Sequence, residues 1–292
     1  MIQMLIDFLR VRQWVKNLFI LAPIIFCGRF NEPHLWPRLG LVVAGFCLIS
    51  SGMYIINDIF DLIEDKTHPI KSQRPLAAGK ISIFTAKVVA TLLLVLGSLL
   101  CWIRGTELFI LAISYILLHT LYNLRTKHIV ILDVLTVALG FQIRIWAGSA
   151  AIDIMPSAWL QICMFVLSLF LGFTKRRCEM VFLENSASSQ RAVFSRYTEY
   201  FLDQMIGICS TLSIVLYGLY TVSLEVTQRV GGHAMFYSIG FVAYGIFRYL
   251  YLLYIKKSTY DPSEALLSDA PMMINITLWG VFIMAMIRFS HP

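Results

Sequence analysis

Long runs of apolar residues, separated by short polar or charged stretches, make up most of this chain. Each run approaches the roughly 20 residues that an α-helix needs to cross a bilayer. Barrel-type alternation of apolar and polar positions is absent. The pattern therefore predicts an all-α, polytopic membrane helical bundle with about nine transmembrane helices. The predicted spans lie near residues 17–31, 39–60, 82–103, 106–123, 130–152, 157–174, 205–224, 234–254 and 270–289.

The composition also favours a membrane protein. Of the 292 residues, 58% are hydrophobic and only 14% are charged, whereas a soluble domain carries about 25% charged residues. No separate soluble domain or flexible linker interrupts the pattern, so a single domain is predicted over residues 1–292. The cysteines and histidines lack the spacing of a disulfide framework or of a zinc site.

The basic residues are distributed unequally between the predicted connections. With the N-terminus in the cytoplasm, most lysines and arginines fall on the cytoplasmic side, as the positive-inside rule requires. The two longest connections on that side, 61–81 and 174–204, are also the richest in charge. We therefore expect a multi-pass protein of the inner (plasma) membrane, with a cytoplasmic N-terminus, cytoplasmic active-site loops and an external C-terminus. Topology accounts for the net charge of +7, and no nucleic-acid partner is expected.

Three aspartates lie at the end of the second predicted span, within residues 54–75. At about 100° per residue on a helix, Asp58, Asp61 and Asp65 lie within roughly 60° of one another. Tyr54 falls on the same stripe. Like charges on one face repel one another unless a cation lies among them, and carboxylates suit Mg²⁺ that is completed by substrate phosphates. The stripe therefore predicts a site for magnesium and diphosphate. Charged residues that merely end a membrane span would be explained by topology, but topology depends on basic residues rather than on spaced aspartates.

Basic residues near these acids are candidates for binding phosphate groups. Lys71 and Arg74 follow the aspartates in a loop stiffened by prolines, and their charges suit phosphate oxygens. Lys16 precedes the first predicted span, where lysine is also a common interfacial anchor. Lys175 ends the sixth predicted span, where topology and a direct phosphate contact explain it equally well.

A second polar set lies further along the chain and contains Tyr122, Lys127, Asp133 and Arg144. Asp133 and Arg144 return to within about 20° on a helix and are separated along it by roughly 16 Å. Gly140 lies between them and would leave room for a substrate or for another helix. An ionisable residue this deep is a functional candidate, although Arg144 could instead pair with an internal carbonyl or acid.

Motifs of several other enzyme classes are missing. The sequence contains no Gly-x-x-x-x-Gly-Lys phosphate loop, no Gly-x-Ser-x-Gly elbow and no His-Glu-x-x-His zinc motif. A nucleotide-driven pump and a serine hydrolase are therefore disfavoured.

Together, these residues resemble the UbiA-type superfamily of intramembrane prenyltransferases, which are bundles of nine spans with a polar cavity that opens to the cytoplasm. The resemblance covers essentially the whole chain. The usual second motif of the aromatic prenyltransferases has closely spaced aspartates, whereas the corresponding helix here has only Asp133. The first motif, Asn-Asp-x-x-Asp-x-x-x-Asp, is matched by Asn57, Asp58, Asp61 and Asp65.

The chain is more similar to the decaprenyl-phosphate phosphoribosyltransferase branch of that superfamily. It departs from the branch at the amino-terminal Arg-Pro, where Arg10 is followed by Val11. The matching segments are Arg12-Gln13-Trp14-Val15-Lys16-Asn17, His68-Pro-x-Lys71-x-x-Arg74-Pro75, Tyr122-x-x-x-x-Lys127, Asp133 with Gly140-Phe-x-x-Arg144 and Ala147-Gly148, Ser157-x-Trp159 and Lys175-Arg176.

This resemblance implies Mg²⁺-dependent transfer of 5-phosphoribosyl from phosphoribosyl diphosphate (PRPP) to a polyprenyl phosphate, which releases diphosphate. The product would be a polyprenylphosphoryl-5-phosphoribose for cell-envelope pentose synthesis. The expected partners are the two substrates and the lipid bilayer, and a homo-oligomer is compatible with the sequence. Asn57 would assist the metal ligands Asp58, Asp61 and Asp65 in catalysis. The implied substrate-binding residues are Lys16, Asn17, Tyr54, Lys71, Arg74, Tyr122, Lys127, Asp133, Arg144 and Lys175.

Two alternatives stay open at the level of sequence. An aromatic-acid polyprenyltransferase of quinone biosynthesis would use a polyprenyl diphosphate as donor and would not use PRPP. A transporter for a phosphorylated metabolite would favour broken spans in an inverted repeat, and no clear inverted repeat is evident.

Overall fold

Helices form the regular structure throughout the described residues, which are 2–184, 197–256 and 268–289 of a computed structural model. No strand occurs within those ranges. The α-helices are α1 (Ile2–Phe8), α2 (Ala22–Phe26), α3 (Leu35–Phe60), α4 (Leu62–Thr67), α5 (Ile83–Arg104), α6 (Thr106–Leu124), α7 (Leu132–Ala151), α8 (Ala158–Glu184), α9 (Glu199–Thr221), α10 (Leu224–Val230), α11 (Ile239–Tyr251) and α12 (Ala270–Phe289). Four 3₁₀ segments, at Val11–Leu21, Lys71–Gln73, Thr126–His128 and Ala234–Ser238, and a π-helical turn at Leu252–Lys256 complete the described helices.

Eight helical segments of the described chain are long and apolar enough to cross a membrane. Large apolar side chains point outward from them, including Phe84 at 77%, Ile103 at 64% and Phe247 at 61% exposure. Such exposure is unfavourable in water but suits a hydrocarbon solvent. The prediction of a polytopic α-helical membrane protein is confirmed. The eight segments are Leu35–Phe60, Ile83–Arg104, Thr106–Leu124, Leu132–Ala151, Ala158–Val181, Glu199–Thr221, Ala234–Lys256 and Ala270–Phe289.

The first predicted span, 17–31, is not among these eight segments. The chain there forms the 3₁₀ helix Val11–Leu21 followed by the short helix α2. A 3₁₀ run of this length is unusual, and contacts with neighbouring helices hold it. Trp14 Nε1 donates to Ser51 Oγ at 2.9 Å, and the backbone around Ile20 lies so close to Gly148 that a Cβ there would be 2.0 Å from the Ile20 carbonyl oxygen.

The sixth predicted span ends too early. Helix α8 continues through Glu184, so Lys175, Arg176 and Arg177 are helical rather than the start of the predicted 174–204 loop. Arg176 is paired with Glu179, three residues later, at 2.6 Å, which favours the extension of the helix. The part of the predicted loop at 185–196 lies outside the described residues.

The chain divides into two compact units. The first comprises Met1–Ile24, Glu32–Pro156 and Leu183–Tyr197, and the second comprises Ile25–Asn31, Ser157–Phe182 and Thr198–Pro292. The single domain over 1–292 stays a prediction.

Small residues allow close helix packing in the first unit. A Cβ on Gly97 of α5 would lie 2.6 Å from the carbonyl oxygen of Gly45 in α3. Close backbone approach at small residues is a common way to associate helices in a bilayer. The packing of α3 against α5 fixes the helix whose end carries the aspartates.

An aromatic cluster forms the core of the second unit. Tyr217, Tyr220 and Met235 are buried in it, and Trp279 packs at its edge. Tyr217 and Trp279 have polar partners there, because the Tyr217 hydroxyl lies 2.7 Å from Ser238 Oγ and accepts from Trp279 Nε1 at 3.0 Å. The cluster ties the helices of this unit together.

Candidate active site

The three aspartates lie where α3 gives way to α4. Helix α3 ends at Phe60, and Asp61 stands between the two helices with φ −89° and ψ 6°. The helical hydrogen bonds nevertheless continue, since Asp61 N–H donates to the Asn57 carbonyl at 2.9 Å and Asp65 N–H to the Asp61 carbonyl at 2.8 Å. The predicted stripe therefore persists across a break in the helix. Asp58, Asp61 and Asp65 are all buried, at 6%, 1% and 2% exposure.

Arginines offset the charge of two of these aspartates. Arg10 Nη2 lies 2.5 Å from Asp58 Oδ1, and Arg74 Nη1 lies 3.2 Å from the same oxygen. Arg74 Nη1 is also 2.5 Å from Asp65 Oδ2. Burial, and then the charge of Arg10, lower the pKa of Arg74 from its ordinary value, while the two aspartates oppose that shift. These arginines place positive side-chain charge directly beside the carboxylates for which the sequence predicts a magnesium ion.

Asp61 has its own partners. Lys127 Nζ lies 2.5 Å from Asp61 Oδ1, and the Asn57 amide donates to Asp61 Oδ2 at 3.0 Å. Lys127 belongs to the 3₁₀ turn Thr126–His128, and the Thr136 hydroxyl of α7 donates to the Thr126 hydroxyl at 3.0 Å. The structure therefore brings one residue of the second predicted set, Lys127, directly to the first.

Arg10 is a site residue that the sequence analysis did not single out. It has a left-handed backbone, with φ 54° and ψ 41°, between α1 and the first 3₁₀ helix. A left-handed conformation costs a non-glycine residue about 1–2 kcal/mol, and Gln13 N–H helps to hold the turn by donating to the Arg10 carbonyl at 2.8 Å. The guanidinium carbon is 5.7 Å from the centre of the Tyr54 ring. The sequence did contain one signal for it, because Arg10 is the basic residue at the point where this chain departs from the Arg-Pro of the phosphoribosyltransferase branch.

The loop after α4 is shaped by His68. Its Nδ1 accepts the backbone N–H groups of Ile70 at 3.2 Å and of Lys71 at 3.3 Å. These bonds order the turn that contains Lys71 and leads to Arg74. The predicted phosphate-binding loop therefore has a defined backbone next to the aspartates.

Arg144 is buried on α7 with protein acceptors for three of its donors. Its Nε donates to Asn17 Oδ1 at 2.8 Å, its Nη1 to the Gly140 carbonyl at 3.0 Å and its Nη2 to the Tyr115 hydroxyl at 2.7 Å. Asn17 in turn donates through Nδ2 to Ser50 Oγ at 3.1 Å. Two predicted site residues, Asn17 and Arg144, thus meet each other, and Tyr115 joins them without having been predicted.

The space that Gly140 leaves is used by a neighbouring helix. A Cβ at this position would lie 3.1 Å from His119 Nε2 of α6. The sequence analysis expected either a substrate or another helix beside Gly140, and in the structure helix α6 lies there. Tyr122, also on α6, is half-buried, with its ring centre 6.5 Å from that of His119.

Asp133 is fully buried in the first turn of α7. Its Oδ1 accepts from the Tyr197 hydroxyl at 2.8 Å, and the same hydroxyl accepts the Ile131 N–H at 2.8 Å. The carboxylate is favourably placed at the N-terminal end of a helix. Tyr197 lies 64 residues further along the chain, so no local pattern could have identified it.

The remaining predicted site residues have these positions. Lys16 is half-buried in the 3₁₀ helix beside Asn17. Lys175 is a residue of α8 in the second unit.

The donor chemistry of the aspartates suits Mg²⁺, because carboxylate oxygens are its preferred protein ligands. Within residues 2–184, 197–256 and 268–289, no three His, Cys, Asp or Glu side chains are arranged to hold a metal ion. The basic side chains instead supply the positive charge at the carboxylates. A divalent ion therefore fits the donor set if the arginines and the lysine change partners.

Within the described part of the chain, eight candidate membrane spans and a buried set of ion-paired aspartates define a polytopic membrane protein with a charged cluster inside it. The chain belongs to the UbiA prenyltransferase family, whose pattern matches residues 18–268. It is therefore a membrane-embedded transferase.

Three similar proteins are all named decaprenyl-phosphate phosphoribosyltransferase. The one from Mycolicibacterium smegmatis is 31% identical over 98% of this chain and 93% of its own length. The one from Mycobacterium tuberculosis is 26% identical over 97% of this chain and 93% of its own length. The one from Corynebacterium glutamicum is 28% identical over 99% of this chain and 87% of its own length.

Solved structures share the fold. A UbiA homolog from Archaeoglobus fulgidus, bound to GPP and Mg²⁺, has a TM-score of 0.70 and 17% identity, covering 97% of this chain and 99% of that one. The same homolog bound to Cd²⁺ has a TM-score of 0.67 and 16% identity, with coverage of 97% and 98%. The expected fold family is confirmed.

Proposed function

We propose that this chain transfers a 5-phosphoribosyl group from PRPP to a polyprenyl phosphate of the decaprenyl type and releases diphosphate. The observation that carries the proposal is the set of three buried aspartates paired with three basic side chains. Such a set can hold a diphosphate through a metal ion on one side and through bases on the other. Relatives with the corresponding name extend along nearly the whole chain, which supports this donor and this acceptor.

Mg²⁺ is the proposed cofactor, with Asp58, Asp61 and Asp65 as its ligands. When bound, it supplies positive charge to the departing diphosphate. Asn57 orients the Asp61 carboxylate through the hydrogen bond that its side-chain amide donates to Asp61 Oδ2. Solved structures of a UbiA homolog with bound Mg²⁺ and Cd²⁺ support the use of a divalent ion in this fold.

The bases of the site bind the phosphate groups of the donor. Arg74 and Lys127 lie beside the carboxylates and contact the diphosphate, and Lys71 follows on the ordered loop. Tyr54 and Tyr122 line the side that faces the ribose. Arginine can grip two phosphate oxygens at once, whereas lysine acts as a point charge.

The remaining candidates position the acceptor and the walls of the site. Lys16 and Lys175 are assigned to the lipid phosphate or to the 5-phosphate of the donor. Asn17 and Arg144 hold each other, so they fix the segment that presents Lys16. Asp133 fixes the start of α7 through Tyr197.

The reaction is a substitution at the anomeric carbon of ribose. A phosphate oxygen of the lipid forms a bond to C1 while the bond from C1 to the diphosphate oxygen breaks. The attacking oxygen is already anionic near neutral pH, so positioning and stabilisation of the leaving group matter more than a general base. A single in-line displacement inverts the configuration at C1, and a product with retained configuration would contradict it.

The membrane is part of the proposed site because the acceptor has a long apolar tail. Moving that tail into water would cost about 0.8 kcal/mol per methylene. We assign the protein to the plasma membrane, with the N-terminus and the aspartate loops in the cytoplasm and the C-terminus outside. The reason is the excess of basic residues in the connections on the proposed cytoplasmic side. Fusions to the C-terminus test this orientation: alkaline phosphatase should be active there, and fluorescent protein should be dark.

The test of function uses purified protein in mixed micelles with Mg²⁺, PRPP labelled in the ribose and a polyprenyl phosphate. Label is expected to move into the lipid phase together with the release of diphosphate. Asp58→Asn and Asp61→Asn should each abolish the transfer. Glu64→Gln is the matched control, because Glu64 is an exposed acid of the same segment, and it should retain activity.

A second arm of the assay separates the competing family activity. It replaces the substrates with a labelled polyprenyl diphosphate and an aromatic acid, and a prenylated aromatic product with no use of PRPP would overturn the proposal. Accumulation of a phosphorylated metabolite in sealed vesicles without diphosphate release would indicate a transporter instead.

A further inference from the structure

One carboxylate oxygen of Asp58 accepts hydrogen bonds from two arginines. Arg10 Nη2 and Arg74 Nη1 lie 2.5 Å and 3.2 Å from Asp58 Oδ1. Two like charges therefore converge on one carboxylate oxygen. They repel each other, and the charge of Arg10 contributes to the lowered pKa of Arg74. The total of two positive charges at this oxygen is the charge that a divalent cation would bring.

The charges of the three paired aspartates and of their three basic partners cancel without any ligand. Three buried carboxylates, Asp58, Asp61 and Asp65, are in ion pairs with Arg10, Arg74 and Lys127. A divalent ion that entered alone would leave an excess of two positive charges among these side chains. A diphosphate that entered alone would meet the carboxylates. The charge balance therefore favours the entry of the divalent ion and the diphosphate together. One basic side chain would then leave its carboxylate and pair with the diphosphate.

Arg10 is the base best placed to change partners. Its side chain is 20% exposed, whereas that of Lys127 is 6% exposed. Arg74 bridges two aspartates, whereas Arg10 forms an ion pair with Asp58. Its left-handed turn separates α1 from the 3₁₀ helix, so its side chain can move without shifting a membrane span.

We propose that Arg10 occupies the metal-binding face of Asp58 in the absence of substrate and transfers to the diphosphate when the metal–diphosphate complex enters. Arg10 is thereby both a competitor of the free divalent ion and a ligand of the donor. This inference rests on the proposed function for the identity of the diphosphate. The competition with the metal ion rests on the ion pairs alone.

The first test measures Mn²⁺ binding by electron paramagnetic resonance in nonionic detergent, without PRPP. Arg10→Gln removes the competing charge and should tighten Mn²⁺ binding by about tenfold or more, since one unit charge a few ångströms away is lost. Adding Asp58→Asn to Arg10→Gln should abolish this gain. Arg12→Gln is the matched control, because Arg12 is an exposed arginine of the same segment, and it should leave Mn²⁺ affinity unchanged.

The second test measures transfer kinetics. Arg10→Gln should raise the KM for PRPP by about tenfold or more because a charge-assisted contact is lost, and Arg10→Lys should recover part of the loss. Three outcomes would overturn the proposal that Arg10 competes with the divalent ion. They are equal Mn²⁺ affinities of Arg10→Gln and Arg12→Gln, weaker Mn²⁺ binding by Arg10→Gln, and no Mn²⁺ binding by either variant. An unchanged KM in an active enzyme would overturn the transfer to diphosphate. Absence of any PRPP turnover in the wild type would instead contradict the proposed function, and the Mn²⁺ result would stand separately.

Discussion

Lys127 Nζ lies 2.5 Å from Asp61 Oδ1, although 66 residues separate the two in the sequence. Both side chains are almost completely buried, at 6% and 1% exposure. A charge in such surroundings is tolerated because its partner is present. The pair connects the end of α3 to the turn before α7, and it unites the two polar sets that the sequence shows separately.

Breaking this pair should destabilise the protein. Lys127→Met leaves the Asp61 carboxylate buried without its cation and should lower the free energy of unfolding by about 3–5 kcal/mol. Thermal unfolding in detergent measures the change. Lys80→Met, at an exposed lysine, is the control and should have little effect.

A double variant separates stability from catalysis. Adding Asp61→Asn to Lys127→Met removes the orphaned charge and should restore much of the stability, as a double-mutant cycle would report. Transfer activity should stay absent, because the carboxylate is also a proposed metal ligand. Restored activity in the double variant would contradict that assignment.

Gly148→Ala should disrupt the packing of the 3₁₀ helix on α7. The new Cβ would lie 2.0 Å from the Ile20 carbonyl oxygen, which is backbone and cannot move aside as a flexible side chain could. We expect a marked loss of thermal stability together with loss of activity. Gly40→Ala in α3 meets nothing within 4 Å and should be neutral or slightly stabilising, so equal behaviour of the two variants would refute the close approach.

Arg144→Lys should be costly even though it preserves charge. Lysine cannot reproduce the three hydrogen bonds to Asn17, Gly140 and Tyr115 in the fixed geometry of a guanidinium. Leaving buried acceptors unsatisfied costs about 1–3 kcal/mol each. Thermal unfolding in detergent should show this loss of stability. Tyr115→Phe should cause a smaller loss, and Arg12→Lys, the control, should leave stability unchanged.

The pair of Arg248 and Asp269 should make the second unit sensitive to acid. Asp269 accepts from Arg248 Nε at 3.0 Å and Nη2 at 2.8 Å, and this bonding lowers the pKa of its carboxyl below the ordinary 3.8. The stabilisation is therefore fully present above pH 3.8 and is lost as pH falls through the lowered value. The difference in melting temperature between wild type and Asp269→Asn should be constant near neutral pH and narrow in strong acid. A difference that grows on acidification would reverse the sign of the linkage.

The grouping of the acids with a basic loop in the candidate site could be predicted because these residues are close together in the sequence. Asp58, Asp61 and Asp65 repeat at helical spacing, and the structure keeps them on one side although α3 ends between them. The basic loop at Lys71 and Arg74 follows at once, and its arginine reaches two of the acids. Spacing along one helix is short-range information, so the pattern carries it.

The sequence by itself determined the membrane class, most of the spans and the acidic stripe, because apolar length and helical periodicity depend only on neighbouring residues. The tertiary structure decided which charges meet. Arg10 to Asp58, Lys127 to Asp61, Asn17 to Arg144 and Tyr197 to Asp133 are all contacts between distant segments. It also turned the first predicted span into a 3₁₀ helix and extended α8 through its basic residues. Burial makes each of these choices, since a polar group removed from water needs a partner and only the folded chain determines which partner is within reach.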